Sequence, residues 1–160
     1  MGAGKYLMII AGIITIVATY LFSFFHLGSD VYGWGVGAIL VVDQIFVSAL
    51  AYGEWLVIVI EILILIFLAA GVFQLIGAKV RALGFIGSLF ALGVFVYFML
   101  IEFQVISSTA IYAILFSGFT PNALGPLPLH VQVGNFAGLG TYLLLGGAVL
   151  GFIGTFVGRD

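Results

Sequence analysis

The sequence predicts an all-α membrane protein, a polytopic four-helix bundle with a small apolar cap on its extracytoplasmic side. The first observation is composition: 64% of the 160 residues are hydrophobic, 6% are charged, and the mean hydropathy is +1.40. Soluble domains carry about 25% charged residues, so this surface is suited to lipid rather than water. The second observation is the length of four apolar stretches, and the third is the position of the basic residues.

Four stretches reach the roughly 20 apolar residues that a helix needs to cross a bilayer. They are predicted to be helices, because a backbone in hydrocarbon must satisfy its own hydrogen bonds. We expect one membrane domain, residues 1–160, with two outer segments at 27–54 and 107–135. The predicted spans are residues 6–25, 55–76, 82–106 and 136–157. The first is too long for the apolar part of a signal peptide, so we expect it to be retained.

The four basic residues predict the orientation. Lys5 precedes the first span, Lys79 and Arg81 lie in the short turn between the second and third, and Arg159 follows the fourth. Four crossings place all of them on one side, which the positive-inside rule makes cytoplasmic. The sequence therefore predicts a protein of the plasma (cytoplasmic) membrane with both termini in the cytoplasm.

The first outer segment is too apolar over residues 36–52 for a solvated loop. A helix there places Asp43, Gln44 and Ser48 on one side, which predicts an amphipathic helix at the interface or over the bundle. A strand over residues 39–42 is the alternative, since β-branched residues cluster there. We favour the helix.

The second outer segment begins with Ser107-Ser108-Thr109, which can cap a short helix through about Ser117. Alternatively, the third helix continues out of the membrane. Prolines further along favour an irregular path. Trp34, Trp55 and Tyr52 fall near the outer interface and predict an aromatic belt.

Small residues recur at the spacing that lets membrane helices approach closely. In the fourth span, Gly147-xxx-Gly151 and Gly154-xxx-Gly158 match this spacing. In the third span, Gly84 and Gly87 stand four residues before Ser88 and Ala91. We favour packing of the third span against the fourth over a seam between molecules.

Glu61 is the residue most suggestive of chemistry, because a carboxylate inside a span costs at least about 2.5 kcal/mol. Glu102 differs from it in depth by about 5 Å, counted from the turn between the second and third spans at 1.5 Å per residue. We predict an intramembrane polar pocket open to the outer side. Its other members are Tyr20, Ser23, Thr141 and Tyr142. The pocket can fasten helices, conduct a proton or ion, or bind a ligand, and fastening is the reading we favour.

His26 and His130 are the only histidines, and both are predicted on the outer side. They can serve as two axial haem ligands or as half of a metal site. The plainer interpretation, which we favour, is a hydrogen-bonding or interfacial role, so no metal or other cofactor is predicted. Cysteine is absent, which removes disulfides and thiolate sites. Four basic residues are too few to follow a nucleic acid backbone.

The architecture resembles the small tetraspan membrane proteins, claudins among them. It shares four spans, inside termini, a longer first outer segment and Trp34-Gly35 within that segment. The following Gly-Leu-Trp and the cysteine pair of claudins are absent. The resemblance implies a role in packing or assembly and no particular site residues.

Three hypotheses follow for function. The first is a non-catalytic assembly protein, either a homo-oligomer in the lipid bilayer or an accessory subunit among other membrane subunits. The second is a small ion or proton channel or transporter that uses Glu61 and Glu102. The third is a haem- or metal-binding subunit that uses His26 and His130. No nucleophile with a neighbouring base and no phosphate-binding loop is present, so we do not expect an enzyme.

Overall fold

The computed structural model describes residues 2–27, 31–53, 55–106 and 127–158. These residues are mainly helical, which confirms the predicted all-α class. One two-stranded antiparallel sheet, in which His26 pairs with Tyr32, is also present in this part of the chain. The elements in order are α1 (Ala3–Tyr20), β1 (Phe25–Leu27), β2 (Val31–Gly33), α2 (Gly35–Tyr52), α3 (Trp55–Leu68), α4 (Ala70–Gly77), α5 (Arg81–Glu102) and α6 (Leu139–Phe156).

Three helices, α1, α5 and α6, are long and apolar enough to cross a membrane. The pair α3 and α4 meets the same criterion together, but the two helices are bent by 47° at the break between them. The stretch predicted as one span over residues 55–76 therefore consists of two helices with different directions.

Four helical segments pack side by side, and we call them the central cluster: α1, α4, α5 and α6. Helix α1 packs against α4 and α6, and α5 packs against the same two helices. Helix α3 leaves the cluster at the bend and packs mainly against α2. Glycines permit the close contacts of α4, since a side chain on Gly71 would meet Ile16 of α1 and one on Gly77 would meet Gly84 of α5.

A side chain of α1 forms a hydrogen bond at the bend between α3 and α4. The Tyr20 hydroxyl, at the end of α1, donates a hydrogen bond of 2.8 Å to the backbone carbonyl of Leu68. A side chain that enters the helical hydrogen-bond ladder is one of the usual causes of a sharp kink. The small residues that follow, Ala70 and Gly71, then bring α4 against α1.

A cluster of phenylalanines forms the core at the end of the molecule where α1 and α5 end, which we call the phenylalanine end. Phe24 and Phe25 are fully buried, and each packs against Phe98 of α5 with ring centroids 5.4 and 5.3 Å apart. Phe25 also stacks on Phe136 at 4.7 Å. Trp34 is 3% exposed and belongs to the protein interior, so it is not a member of the predicted exposed aromatic belt.

The predicted helix over residues 36–52 is confirmed as α2, and the alternative strand over residues 39–42 is wrong. The side chains of Asp43, Gln44 and Ser48 lie outside the described part of the chain. So do the predicted short helix from Ser107 and the last basic residue, Arg159.

Candidate functional site

The side chain of Gln74 joins all four helices of the central cluster. Its Oε1 accepts a hydrogen bond of 2.7 Å from the Thr15 hydroxyl of α1. Its Nε2 donates to Ser88 Oγ of α5 and to the Gly147 carbonyl of α6, both at 3.2 Å. Ser88 in turn donates to the Gly84 carbonyl at 2.8 Å. Gln74, Thr15 and Ser88 are fully buried, so this network is a polar fastener inside an apolar cluster.

The predicted packing glycines surround this network. A side chain on Gly147 would meet Thr15, and one on Gly151 would meet Ser88 and the Gln74 amide. A side chain on Gly154 would meet Gly4 and Met8 of α1, and one on Gly87 would meet the Ala70 carbonyl of α4. A side chain on Gly158 would meet nothing within 4 Å, although the Gly158 carbonyl accepts a 3.1 Å hydrogen bond from Gly4 N–H. The glycines of α6 therefore face α1 as well as α5, a wider set of contacts than the predicted pairing of two spans.

Glu102 ends α5 and binds the chain that leads into α6. Its carboxylate accepts hydrogen bonds from the backbone N–H groups of Asn135, Phe136 and Ala137, at 2.6, 2.7 and 2.7 Å. Three such bonds satisfy much of the acceptor capacity of a carboxylate. Glu102 therefore joins two elements at the phenylalanine end.

The other residues of the predicted polar pocket lie at separate contacts. Thr141 of α6 donates a 2.7 Å hydrogen bond to the Phe24 carbonyl, and Tyr20 binds Leu68 at the bend. Glu61 is 2% exposed on α3, and Tyr142 is half-buried on α6. A shared proton or cation between Glu61 and Glu102 stays a prediction.

The two histidines lie together at the phenylalanine end, beside Tyr32. The ring centroids of His26 and His130 are 5.2 Å apart, and Tyr32 packs on both rings at 4.7 and 5.1 Å. Ser23 Oγ lies 2.7 Å from His130 Nδ1. Within the described residues, the Nε2 atoms of both histidines are buried without a hydrogen-bond partner. One ring nitrogen of each histidine is therefore buried and unpaired among the described residues.

Burial, followed by the nearby His26, holds the pKa of the His130 imidazole below its usual value. The neutral ring is therefore favoured, which is the form that can ligate a metal. The described ranges contain no group of three or more histidine, cysteine, aspartate or glutamate side chains that could hold a metal ion.

A lateral groove lies between α3 and α5, on the α3 side of the bend. It has a volume of about 670 Å³. The residues that line it are Ile60, Leu63, Ile64 and Phe67 of α3, Leu89, Phe90, Gly93, Val94 and Tyr97 of α5, and Ile106. Gly93 has no atom within 4 Å of the position of a side chain, so part of the floor is bare backbone. Gly93 is about 18 Å along α5 from Arg81 at 1.5 Å per residue, which is within the depth of a bilayer core.

Comparison of the chain with protein-family models, with curated proteins and with solved structures gave no match. The class of protein is therefore defined by the fold alone, as a mainly helical protein with apolar helices of membrane-spanning length.

Sequence reasoning missed Gln74 and the lateral groove. The signal for Gln74 was present, because an amide inside an apolar run must find partners just as a carboxylate must. The groove lies beside a bend at which the Leu68 carbonyl accepts a hydrogen bond from Tyr20, a residue far away in the sequence. No local pattern around residues 60–67 indicates it.

Proposed function

We propose that this chain is an integral membrane protein with four crossings, made by α1, the bent α3–α4 pair, α5 and α6. We further propose that it acts without catalysis in assembly, by receiving a transmembrane helix in the groove between α3 and α5. That helix belongs to a second copy of the chain or to another membrane subunit. The observation that carries this proposal is the groove itself, with its apolar walls and the bare backbone of Gly93.

The chemistry of the groove supports a helix as its occupant. Nearly all of its lining side chains are hydrocarbon, so it offers little to a polar substrate. In lipid, association of helices depends on close packing, and small residues at the contact permit it. Gly93 supplies such a position, and the lining covers about two helical turns on each wall, since it runs from Ile60 to Phe67 and from Leu89 to Tyr97.

The described polar side chains support a non-catalytic role. Gln74, Thr15 and Ser88 bind one another, Glu102 binds backbone, and Thr141 binds a carbonyl. These groups hold helices together and leave few donors or acceptors directed at a substrate.

Gly93→Leu and Gly146→Leu form a matched test of this proposal. Both glycines have open space around them, so neither change should disturb the fold. Only Gly93 lies in the groove. We expect mass measurement in mild detergent, and cross-linking in native membranes, to show a complex that Gly93→Leu weakens and Gly146→Leu leaves intact. A monomer in both settings, or equal association of the two variants, would contradict the proposal.

A second candidate function is metal binding by His26 and His130, favoured by their neighbouring rings and by the burial of both Nε2 atoms. Imidazole suits copper and zinc, and Ser23 can fix the tautomer of His130 by accepting a hydrogen bond from Nδ1–H. A haem fits less well, because Tyr32 packs against both rings where a macrocycle would need space. Elemental analysis of purified protein should find about one copper or zinc per chain, lost in His26→Ala. No stoichiometric metal and no Soret band would end this candidate.

A further inference from the structure

A second groove lies between α1 and α4 at the end of the cluster that holds Lys5 and Lys79. Unlike the lateral groove, it is lined by charged side chains as well as apolar ones. Its volume is about 890 Å³. Helix α1 contributes Lys5 and Ile9, α4 contributes Leu75 and Ile76, and the turn after α4 contributes Ala78 and Lys79. Two lysines therefore line a groove whose other lining residues are apolar. We call it the lysine groove.

The positive charge of the lysine groove is not balanced by the described part of the chain. Neither Lys5 nor Lys79 pairs with a carboxylate there. The described acidic side chains, Glu61 and Glu102, lie in α3 and at the far end of α5. The neighbouring cation, Arg81, is bound to the protein, because its Nε donates a 2.6 Å hydrogen bond to the Thr155 carbonyl. The two lysines are thus available to an anion.

The groove residues of α1 change from charged to apolar along the helix, as a membrane changes from headgroups to hydrocarbon. Lys5 is near the start of α1, and Ile9 lies one turn further into the helix. Lysine side chains at helix ends can lay their stems along apolar surface and hold the ammonium group at the interface. An anion bound here would therefore sit at the level of lipid headgroups, with the apolar wall below it.

We infer that the lysine groove binds an anionic phospholipid, with its phosphate between Lys5 and Lys79 and an acyl chain along Ile9, Leu75 and Ile76. Basic pockets between membrane helices are suited to such headgroups. A free phosphate would use only the lysines and leave the apolar wall unexplained. A zwitterionic lipid carries a cation next to its phosphate, so it gains less from the two lysines. This inference rests on the proposed membrane crossings, but the site is separate from the lateral groove, so it does not depend on the assembly proposal.

The test is titration of the purified chain in mild detergent with phosphatidylglycerol or phosphatidylcholine of identical acyl chains, read by native mass spectrometry. We expect the wild-type chain to prefer the anionic lipid by about 10- to 30-fold, the gain that two basic residues give near an anionic headgroup. The Lys5→Gln/Lys79→Gln variant should lose this preference. The charge-preserving Lys5→Arg/Lys79→Arg variant should keep most of it, and thermal unfolding should show both variants folded.

Three outcomes would overturn the inference. Equal retention of the two lipids by the wild-type chain would show that the site does not distinguish the headgroup charge of the lipid. An undiminished preference in Lys5→Gln/Lys79→Gln would place the lipid elsewhere. The third outcome is that millimolar inorganic phosphate displaces the anionic lipid while Ile9→Ala/Ile76→Ala binds that lipid as the wild-type chain does. The ligand would then be a free anion, and the apolar wall would take no part.

Discussion

At the scale of single residues, Gln74 shows how one amide can define the arrangement of four helices. An apolar contact between helices tolerates sliding, whereas the Gln74 side chain has directional partners on α1, α5 and α6. A buried polar group that loses its partner costs free energy, so alternative packings that break this network are disfavoured. The network therefore selects one register among several apolar ones.

Replacing Gln74 with leucine should lower the free energy of unfolding by about 1–3 kcal/mol, because the Thr15 hydroxyl and the Gly147 carbonyl lose partners in a dry interior. Thermal unfolding in detergent measures the change. Gln132→Leu is the control, since the bonds from the Gln132 amide are exposed to solvent and should matter little. Equal unfolding temperatures for the two variants would show that the network does not hold the cluster.

Gly146 and Gly147 are adjacent in the sequence and should respond in opposite ways to alanine. A methyl group on Gly147 would meet the Thr15 hydroxyl, whereas one on Gly146 would meet nothing within 4 Å. We expect Gly147→Ala to cost about 1–3 kcal/mol through overpacking. Gly146→Ala should be neutral or slightly stabilising, since alanine favours helix over glycine. Chemical unfolding of both variants measures the difference, and a similar loss in the two would contradict the assigned contacts.

At the scale of elements, the sequence predicted where helices would form better than where they end. Helix α1 ends at Tyr20 rather than continuing to Phe25, and Phe24 and Phe25 are buried core residues rather than the lipid-facing ones that a span would carry. Hydropathy cannot separate these two environments, as both exclude water. Helix α5 ends at Glu102, before the predicted end at Ile106. The Glu102 carboxylate binds the chain ahead of α6. Such ends depend on partners remote in sequence.

The bend between α3 and α4 should depend on the Tyr20 hydroxyl. Tyr20→Phe removes the donor to the Leu68 carbonyl, and we expect a less sharply defined angle with a stability loss of about 1 kcal/mol. The chain has no cysteine, so spin labels at Leu56→Cys and Val96→Cys would report the α3–α5 distance without interference. Both sites are exposed. The distance distribution should broaden in Tyr20→Phe and stay narrow in Tyr6→Phe, which makes the same change at an exposed tyrosine. Unchanged distributions would assign the bend to packing alone.

Acid should loosen the contact between the β1–β2 hairpin and the chain that precedes α6. The folded state holds the pKa of His130 below the value of about 6.5 expected in an unfolded chain. Unfolded molecules then bind a proton that folded ones do not, so the free energy of unfolding falls as the pH drops below about 6.5, and it levels off below the folded pKa. The neighbouring titratable groups are His26 and Tyr32.

Unfolding temperatures measured between about pH 7.5 and about pH 5.5 test this acid dependence. The wild-type chain should lose stability over that interval, and His130→Gln should lose much less, because the proton-binding ring is gone. A slope that is the same in both proteins would place the titration at another group.

At the scale of the whole molecule, the two ends of the cluster have different chemistry. One end holds Lys5, Lys79 and Arg81, and the other holds the phenylalanine core, the histidine pair and the α2–α3 hairpin. The sequence predicted this difference between the two ends from its basic residues, which fall at three places along the chain. It did not predict what each end does with its polar groups, because the Gln74 network, the Glu102 contacts and the two grooves all arise from packing between segments distant in sequence.

The number of membrane crossings depends on whether the bent α3–α4 pair spans the bilayer. That number also decides which side of the membrane each end of the molecule faces. If the bent pair crosses the bilayer, Tyr52 and Val80 lie on opposite sides, and the basic end faces the cytoplasm. Both residues are exposed, so Tyr52→Cys and Val80→Cys suit labelling with a membrane-impermeant maleimide. We expect Tyr52→Cys to react in intact cells and Val80→Cys only after lysis. If both react from one side, the pair turns back within the membrane. That outcome would contradict the structure as well as the proposal, because three crossings place the termini on opposite sides, whereas Gly4 N–H donates a 3.1 Å hydrogen bond to the Gly158 carbonyl.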